Sequence, residues 1–162
     1  MTNIRVGFGY DVHQLDEGQD LWLGGILIPH YKGTIGHSDA DVLIHALCDA
    51  ILGAAAKRDI GFHFPDTDLA YKGADSKKLL SEVCRIVKED GWLFVNADVT
   101  LVLEKPKVLN HIQAMQECLS DVIGCEMNQI SLKATTSERM GFVGKEDGVS
   151  AHAVCLIEKA EE

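Results

Sequence analysis

Apolar and polar positions alternate over residues 4–8, "IRVGF", which predicts a first strand. Two short apolar runs then flank Gly24-Gly25 in "LWLGGILI" (residues 21–28), the pattern of a hairpin with those glycines as its turn or a bulge. Pro29 ends it, and "HYKGTIG" reads as a loop. From Ser38 the period changes. Val42, Leu43, Ala46, Leu47, Ala50 and Ile51 recur at helical spacing, with Ser38 as the expected N-cap and Asp39 and Asp41 suited to the first turn. Residues 59–75, "DIGFHFPDTDLAYKGAD", have no period and predict a long loop. A second helix is expected over 76–90 with Gly91 as its stop, then a strand, "WLFVNADVTLVLE". "KPK" is a turn, and a third helix covers about 110–123 and ends at Gly124. A strand "QISLKATT", a turn "SERMGFVGKEDG" and a last strand "VSAHAVCLIEKA" close the chain. The order β-β-β-α-α-β-α-β-β predicts an α+β fold in one domain over 1–162. The expected architecture is a single four-stranded mixed or antiparallel sheet plus a hairpin, with helices packed on one face.

Composition narrows the function. At 162 residues and 46% hydrophobic, the chain suits one domain with a real core. No apolar run reaches the roughly 18 residues of a spanning helix, and "MTNIRVGFGYD" lacks the apolar core of a secretion signal, so a cytoplasmic protein is expected. Five dispersed cysteines without a CxxC pair read as reduced thiols, and none is placed as a nucleophile beside a histidine. A formal net charge of −10 argues against nucleic acid or an anionic membrane as partner. A phosphate ligand would need metal ions or local amide donors to offset that charge.

Several short constellations carry candidate chemistry. In "GYDVH", Asp11 and His13 are two apart on an expected strand and point the same way. With His45 from the first helix they make a nitrogen and oxygen set suited to an open zinc site. The pattern alone reads more readily as a hydrogen-bonded core histidine beside a chance D-x-H pair. Asp49, four residues after His45, and Cys48 are candidates to orient that histidine or to bind metal themselves. His37 and Ser38 in "GHSDAD" open a helix, where amide groups favour anions. Thr135, Thr136 and Glu138 in "KATTSERMGF" suit phosphate oxygens and a hard cation. Lys105 and Lys107 flank Pro106 in a rigid loop suited to an anion or a base. Asp59, Asp66 and Asp68 in the long loop suit sugar hydroxyls or a metal.

Taken together, "GYDVH", "GHSDADVLIHALCDAILGAAAKRDIGFHFPDTD", "YKGADS", "PK" and "KATTSERMGF" resemble the 2-C-methyl-D-erythritol 2,4-cyclodiphosphate synthase family of the non-mevalonate isoprenoid pathway, in order and spacing, over about residues 4–159. The resemblance implies a phosphorus-oxygen lyase that cyclises 4-diphosphocytidyl-2-C-methyl-D-erythritol 2-phosphate and releases CMP. It implies Zn²⁺ on Asp11, His13 and His45, and Mg²⁺ or Mn²⁺ on Glu138. His37 and Thr136 would stabilise the transition state, with Ser38 on the phosphates. Asp59, Ile60, Gly61, Phe64, Pro65, Asp66, Thr67 and Asp68 would line the substrate site. Leu103, Glu104, Lys105, Pro106, Lys107, Val108 and Leu109 would form the cytidine pocket with Ala134, and Thr135, Thr136, Ser137 and Glu138 would grip the diphosphate. Phe142 and Lys145 complete the implied substrate contacts. The family is a homotrimer whose sheets face the threefold axis and whose active sites lie between subunits. Its members often carry an arginine and a glutamate near a central cavity that takes isoprenoid diphosphates. Lys145 and His152 stand at those positions here, which argues against carrying that ligand over.

Overall fold

The computed structural model describes residues 3–65, 67 and 73–160. Strand β1 (Ile4–Glu17) is followed by a hairpin of β2 (Leu21–Leu23) and β3 (Ile26–Ile28), then a short β4 (Lys32–Thr34). Helix α1 (Val42–Ala54), the short α2 (Ile60–His63) and α3 (Ser76–Glu89) precede β5 (Trp92–Val102). Helix α4 (Ile112–Ile123), β6 (Ile130–Thr135), the short α5 (Gly141–Gly144) and β7 (Gly148–Lys159) complete the chain.

The fold is α+β, as the pattern predicts, but the main sheet has five strands rather than four, in the order β4-β1-β7-β5-β6. The β5–β6 pair is parallel and the others antiparallel. The extra strand is β4, three residues pairing with the end of β1. β1 itself runs to Glu17, well past residue 8, because its whole length finds partners in β7 and β4. Gly24 and Gly25, at φ +59° and +78°, form the hairpin turn between β2 and β3.

The first helix starts later than its pattern suggests. Ala40 sits at φ +55°, outside the right-handed helical region, and the N-cap is Asp41 rather than Ser38. The fully buried Asp41 carboxylate accepts from Ile44 N (3.0 Å) and from the hairpin turn at Gly24 N (3.0 Å) and Gly25 N (2.6 Å). Burial pushes this carboxyl up despite its three amide donors. One side chain therefore starts α1 and docks the hairpin onto it.

α1 is buried nearly all round, between the sheet and α3. Its approach to β1 depends on two glycines. A Cβ on Gly7 would lie 1.9 Å from the carbonyl oxygen of Ala50, and one on Gly9 1.9 Å from that of Ala46. Helix backbone thus rests on strand backbone. Gly7, Gly9, Asp11 and His13 share this covered face of β1. The opposite face leaves Ile4, Val6, Phe8, Tyr10 and Val12 exposed, with Val154 beside them on β7. His152 lies among them, its ring 4.9 Å from that of Tyr10 and 6.2 Å from that of Phe8. Among the described residues, no helix is long and apolar enough to cross a membrane.

Candidate active site

The glycine contacts fix where α1 crosses β1, and His45 follows from that crossing. Next to the Gly9–Ala46 contact, Asp11 Oδ2, His13 Nε2 and His45 Nδ1 form a near-equilateral triangle. Its edges are 3.0 Å (Asp11–His13), 3.1 Å (Asp11–His45) and 3.1 Å (His13–His45). Among the described residues this triad is the cluster of three or more acidic, histidine or cysteine side chains with metal-binding spacing.

The outer nitrogens show what the inner ones are for. His13 Nδ1 donates to the Ile35 carbonyl at 3.1 Å, which leaves its Nε2 as a lone pair. His45 Nε2 is 3.0 Å from Ser76 Oγ and 3.1 Å from Ser38 Oγ. Ser76 gives its own hydroxyl proton to Asp39, in a short hydrogen bond, so it accepts from His45 Nε2–H. Asp39 also takes Ser76 N at 2.9 Å. This Asp39–Ser76–His45 relay turns the Nδ1 lone pair of His45 inward. Three acceptors then face one another, which is repulsive unless a cation sits among them. Tetrahedral zinc with bonds of about 2.0–2.1 Å spans edges of roughly 3.3 Å, so the triangle fits after a small spread. Protonating a ring is the alternative way to relieve the repulsion, since an imidazolium can donate to Asp11. Burial raises the Asp11 carboxyl, but bonds and charge from His13 and His45 outweigh it and hold Asp11 below the usual carboxylate range. Burial lowers His45, and Asp11 outweighs that and raises it.

Asp49 and Cys48, the sequence candidates for orienting His45, do other work. Asp49 accepts from Ile60 N at 2.8 Å and anchors α2, and Cys48 is buried in the core. Asp59 caps α2 by accepting from Phe62 N at 2.9 Å. No local pattern singles out Asp39 and Ser76, 6 and 31 residues from His45, although Ser76 falls inside "YKGADS".

A cavity of about 270 Å³ opens over the triad. Gly36, His37, Ser38, Ile60, Gly61, Phe64 and Leu79 line the rest of it. His37 Nε2 is buried there without a hydrogen-bond partner among the described residues. Pro65 is half-buried and Thr67 exposed, while Asp66 and Asp68 lie outside the described residues.

A second cavity, of about 360 Å³, is lined by Leu103, Pro106, Lys107, Val108 and Leu109 from the loop after β5, and by Ala134, Thr135 and Thr136 at the end of β6. Ile112, Leu132 and Lys133, which the motifs did not single out, complete it. Glu104 and Lys105 turn elsewhere. Glu104 accepts from the Ser137–Arg139 turn, and Lys105 pairs with Glu146 at 3.0 Å. Glu138 is exposed, with Oε1 3.3 Å from Thr136 Oγ1, and a lone carboxylate of this kind suits Mg²⁺ shared with a phosphate. Phe142 and Lys145 are exposed around α5. The two cavities are level in the sheet. Asp11 pairs with Ala151, Ala151 with Leu101 and Leu101 with Ala134, three strand spacings or about 14 Å.

Residues 4–158 match the profile of the YgbB family. The chain belongs to the YgbB family. Among related proteins, the 2-C-methyl-D-erythritol 2,4-cyclodiphosphate synthase of Cytophaga hutchinsonii is 60% identical over 156 residues, covering 96% of this chain and 98% of that protein. The synthase of the same name from Bacteroides fragilis is 54% identical over the same shares. Among solved structures, Plasmodium falciparum IspF in a CDP complex superposes with a TM-score of 0.86 at 29% identity, covering 99% of each chain. The bifunctional IspDF of Campylobacter jejuni gives 0.95 at 37% identity over 99% of this chain. This chain spans only 44% of that one. The chain thus matches these two synthases along almost their whole length.

Proposed function

We propose that this chain converts 4-diphosphocytidyl-2-C-methyl-D-erythritol 2-phosphate into 2-C-methyl-D-erythritol 2,4-cyclodiphosphate and CMP. The observation that carries the reading is the pairing, at one level of one sheet, of a metal-spaced triad with a cavity framed by Lys107 and Thr136. Leu103, Val108 and Leu132 offer apolar walls to a pyrimidine, and Thr135 and Thr136 offer hydroxyls to phosphates at its rim.

An oxygen of the substrate's 2-phosphate forms the new bond to the β-phosphorus. The bond from that phosphorus to the bridging oxygen breaks, and CMP leaves with the electron pair. The nucleophile belongs to the substrate, so the protein positions and neutralises charge. This matches thiols that are no nucleophiles: burial pushes Cys84 and Cys155 up to about 12. Asp11, His13 and His45 would hold zinc and Glu138 would hold Mg²⁺. Divalent ions there supply charge neutralisation that a −10 chain lacks. His37 Nε2, without a partner among the described residues, and the Thr136 hydroxyl, in a long 3.3 Å contact with Glu138, are the protein groups placed to bind phosphate oxygens as charge develops.

The assembly is part of the proposal. Open apolar faces from three chains would pack together and set the Leu103–Thr136 cavity of one chain against the triad of its neighbour. The exposed stripe Ile4, Val6, Phe8, Tyr10 and Val12 supports this packing. Phosphorus NMR and mass analysis of the reaction with Zn²⁺ and Mg²⁺ test the activity. A cyclic diphosphate plus CMP is expected, and a linear bisphosphate plus CMP would overturn the reading.

A further inference from the structure

We infer that Glu104 is a positioning residue that clamps the Thr135–Arg139 turn, rather than a contact to the bound nucleotide. The inference rests on the cyclase reading for what the turn grips. Glu104 directly follows Leu103, which lines the 360 Å³ cavity, and Pro106 to Leu109 line it from the other side. Its own carboxylate points across to the turn. A single oxygen, Oε1, takes two backbone donors, Ser137 N at 3.0 Å and Arg139 N at 3.0 Å; the Ser137 hydroxyl lies 3.1 Å away but gives its one proton to the Met140 carbonyl at 2.7 Å.

The clamp sits where the sheet can no longer help. The β5–β6 ladder ends at the Val102–Thr135 pair, and Leu103 N adds one more bond to the Thr135 carbonyl at 3.0 Å. Beyond that, Glu138 and Arg139 adopt φ +54° and +64°, two successive non-glycine residues in the left-handed region. Such a turn gathers amide groups into an anion-binding concavity. Here the chain fills that concavity with its own carboxylate. The Arg139 amide, foremost among these donors, holds the Glu104 carboxyl below the usual range.

The consequence falls on Thr136 and Glu138. Their side-chain oxygens lie 3.3 Å apart, and Glu138 N also points at Thr136 Oγ1 at 3.3 Å. This spacing depends on the left-handed pair keeping its shape. Without Glu104 the turn is free to relax to ordinary backbone angles, and the two groups separate.

Because both amides meet the same oxygen, Oε1, a glutamine amide oxygen reproduces both bonds. Two substitutions therefore separate clamping from charge. In zinc-loaded protein, CDP affinity is measured by calorimetry with and without Mg²⁺. Glu104→Ala should weaken CDP by at least about tenfold and remove most of the Mg²⁺ enhancement, whereas Glu104→Gln should stay within about threefold of the parent. The amide protons of Ser137 and Arg139 provide a readout independent of ligand. Their downfield NMR shifts should persist in Glu104→Gln and vanish in Glu104→Ala. Parent-like CDP affinity and amide shifts in Glu104→Ala would overturn the clamp. So would a Glu104→Gln variant as weak as Glu104→Ala, since that marks a direct charge contact. A parent that binds no CDP would count against the cyclase reading, while the amide shifts would still decide the clamp.

Discussion

Gly9→Ala tests whether strand-to-helix contact, rather than the ligands' identity, makes the metal site. The new Cβ would stand 1.9 Å from Ala46 O and 2.7 Å from Ala50 N. Both are backbone atoms, so no rotamer relieves the clash. Reaching even a 3 Å contact requires α1 to retreat from β1 by about 1 Å or more. His45 precedes Ala46 and moves with it. The triad edges, now 3.0–3.1 Å, would then pass the roughly 3.3 Å that tetrahedral zinc spans. Metal–ligand distances tolerate only about 0.2 Å. Zinc affinity, read by competition with a chromophoric chelator, should fall by more than the roughly 10–100-fold typical of disturbing an outer partner. Urea unfolding of the zinc-free variant should show an overpacking loss of about 1–3 kcal/mol. Gly53→Ala is the control, with the same added methyl on α1. Its Cβ meets nothing closer than Phe8 O at 3.9 Å, so it should gain about 0.5–1 kcal/mol and keep zinc. Parent-like zinc binding in Gly9→Ala would refute the reasoning.

Three further outcomes follow from the same contacts. Asp41→Ala removes the α1 cap and strands the buried Gly24 and Gly25 amides, so urea unfolding should show a loss of about 2–4 kcal/mol. A loss under about 1 kcal/mol would mean the hairpin is docked by apolar packing alone. Ser76→Ala takes away the hydroxyl behind His45, and chelator competition should show zinc held about 10–100-fold more weakly with an unchanged circular dichroism spectrum. Phe8→Asp puts a charge on the exposed apolar stripe, and sedimentation should show monomers for this variant and the proposed trimer for the parent. An intact trimer in that variant would place the interface elsewhere.

The parts of this structure that could be read from the chain are those set by local period. α3, α4 and the buried strands β5 and β7 lie within two residues of their expected bounds, because side-chain burial there repeats along one element. The triad was legible only in part: strand alternation and helical placement allowed it, and the family resemblance selected it. What escaped depends on partners distant in sequence. The α1 cap rests on Asp41 meeting Gly24 and Gly25, 17 and 16 residues away. The polar end of β1 becomes strand only because β4 and β7 pair with it. Reasoning along the helix offered Asp49 and Cys48 as partners of His45, but the Ile60 amide occupies Asp49 and Cys48 is buried in the core. One signal was present and unread: Gly7, Gly9, Asp11 and His13 alternate on one face, two residues without side chains and then two ligands. That spacing places close helix approach directly before the metal triad.

The two cavities also differ in how they are built. The triad's ligands come from β1 and the middle of α1, with outer partners on the loop before α1 and at the start of α3, so the core holds them rigidly. The proposed nucleotide side is loop: Pro106 to Leu109, and a turn whose left-handed residues lie beside the amides that Glu104 accepts from. A rigid metal half suits a group that must be placed within tenths of an ångström, and a clamped loop suits a base and ribose that must enter and leave. About 14 Å of sheet separates the halves within one chain. A substrate whose diphosphate joins its cytidine to a sugar alcohol that carries the attacking phosphate cannot leave one half unserved. Either one chain's loop reaches across its own sheet, which the β5–β6 and β5–β7 ladders prevent, or a neighbour supplies the missing half. Mixing chains that carry only Gly9→Ala with chains that carry only Glu104→Ala decides between these. If sites are shared, mixed trimers contain sites with both halves intact and regain activity. If every site is made by one chain, no mixture exceeds the sum of its parts.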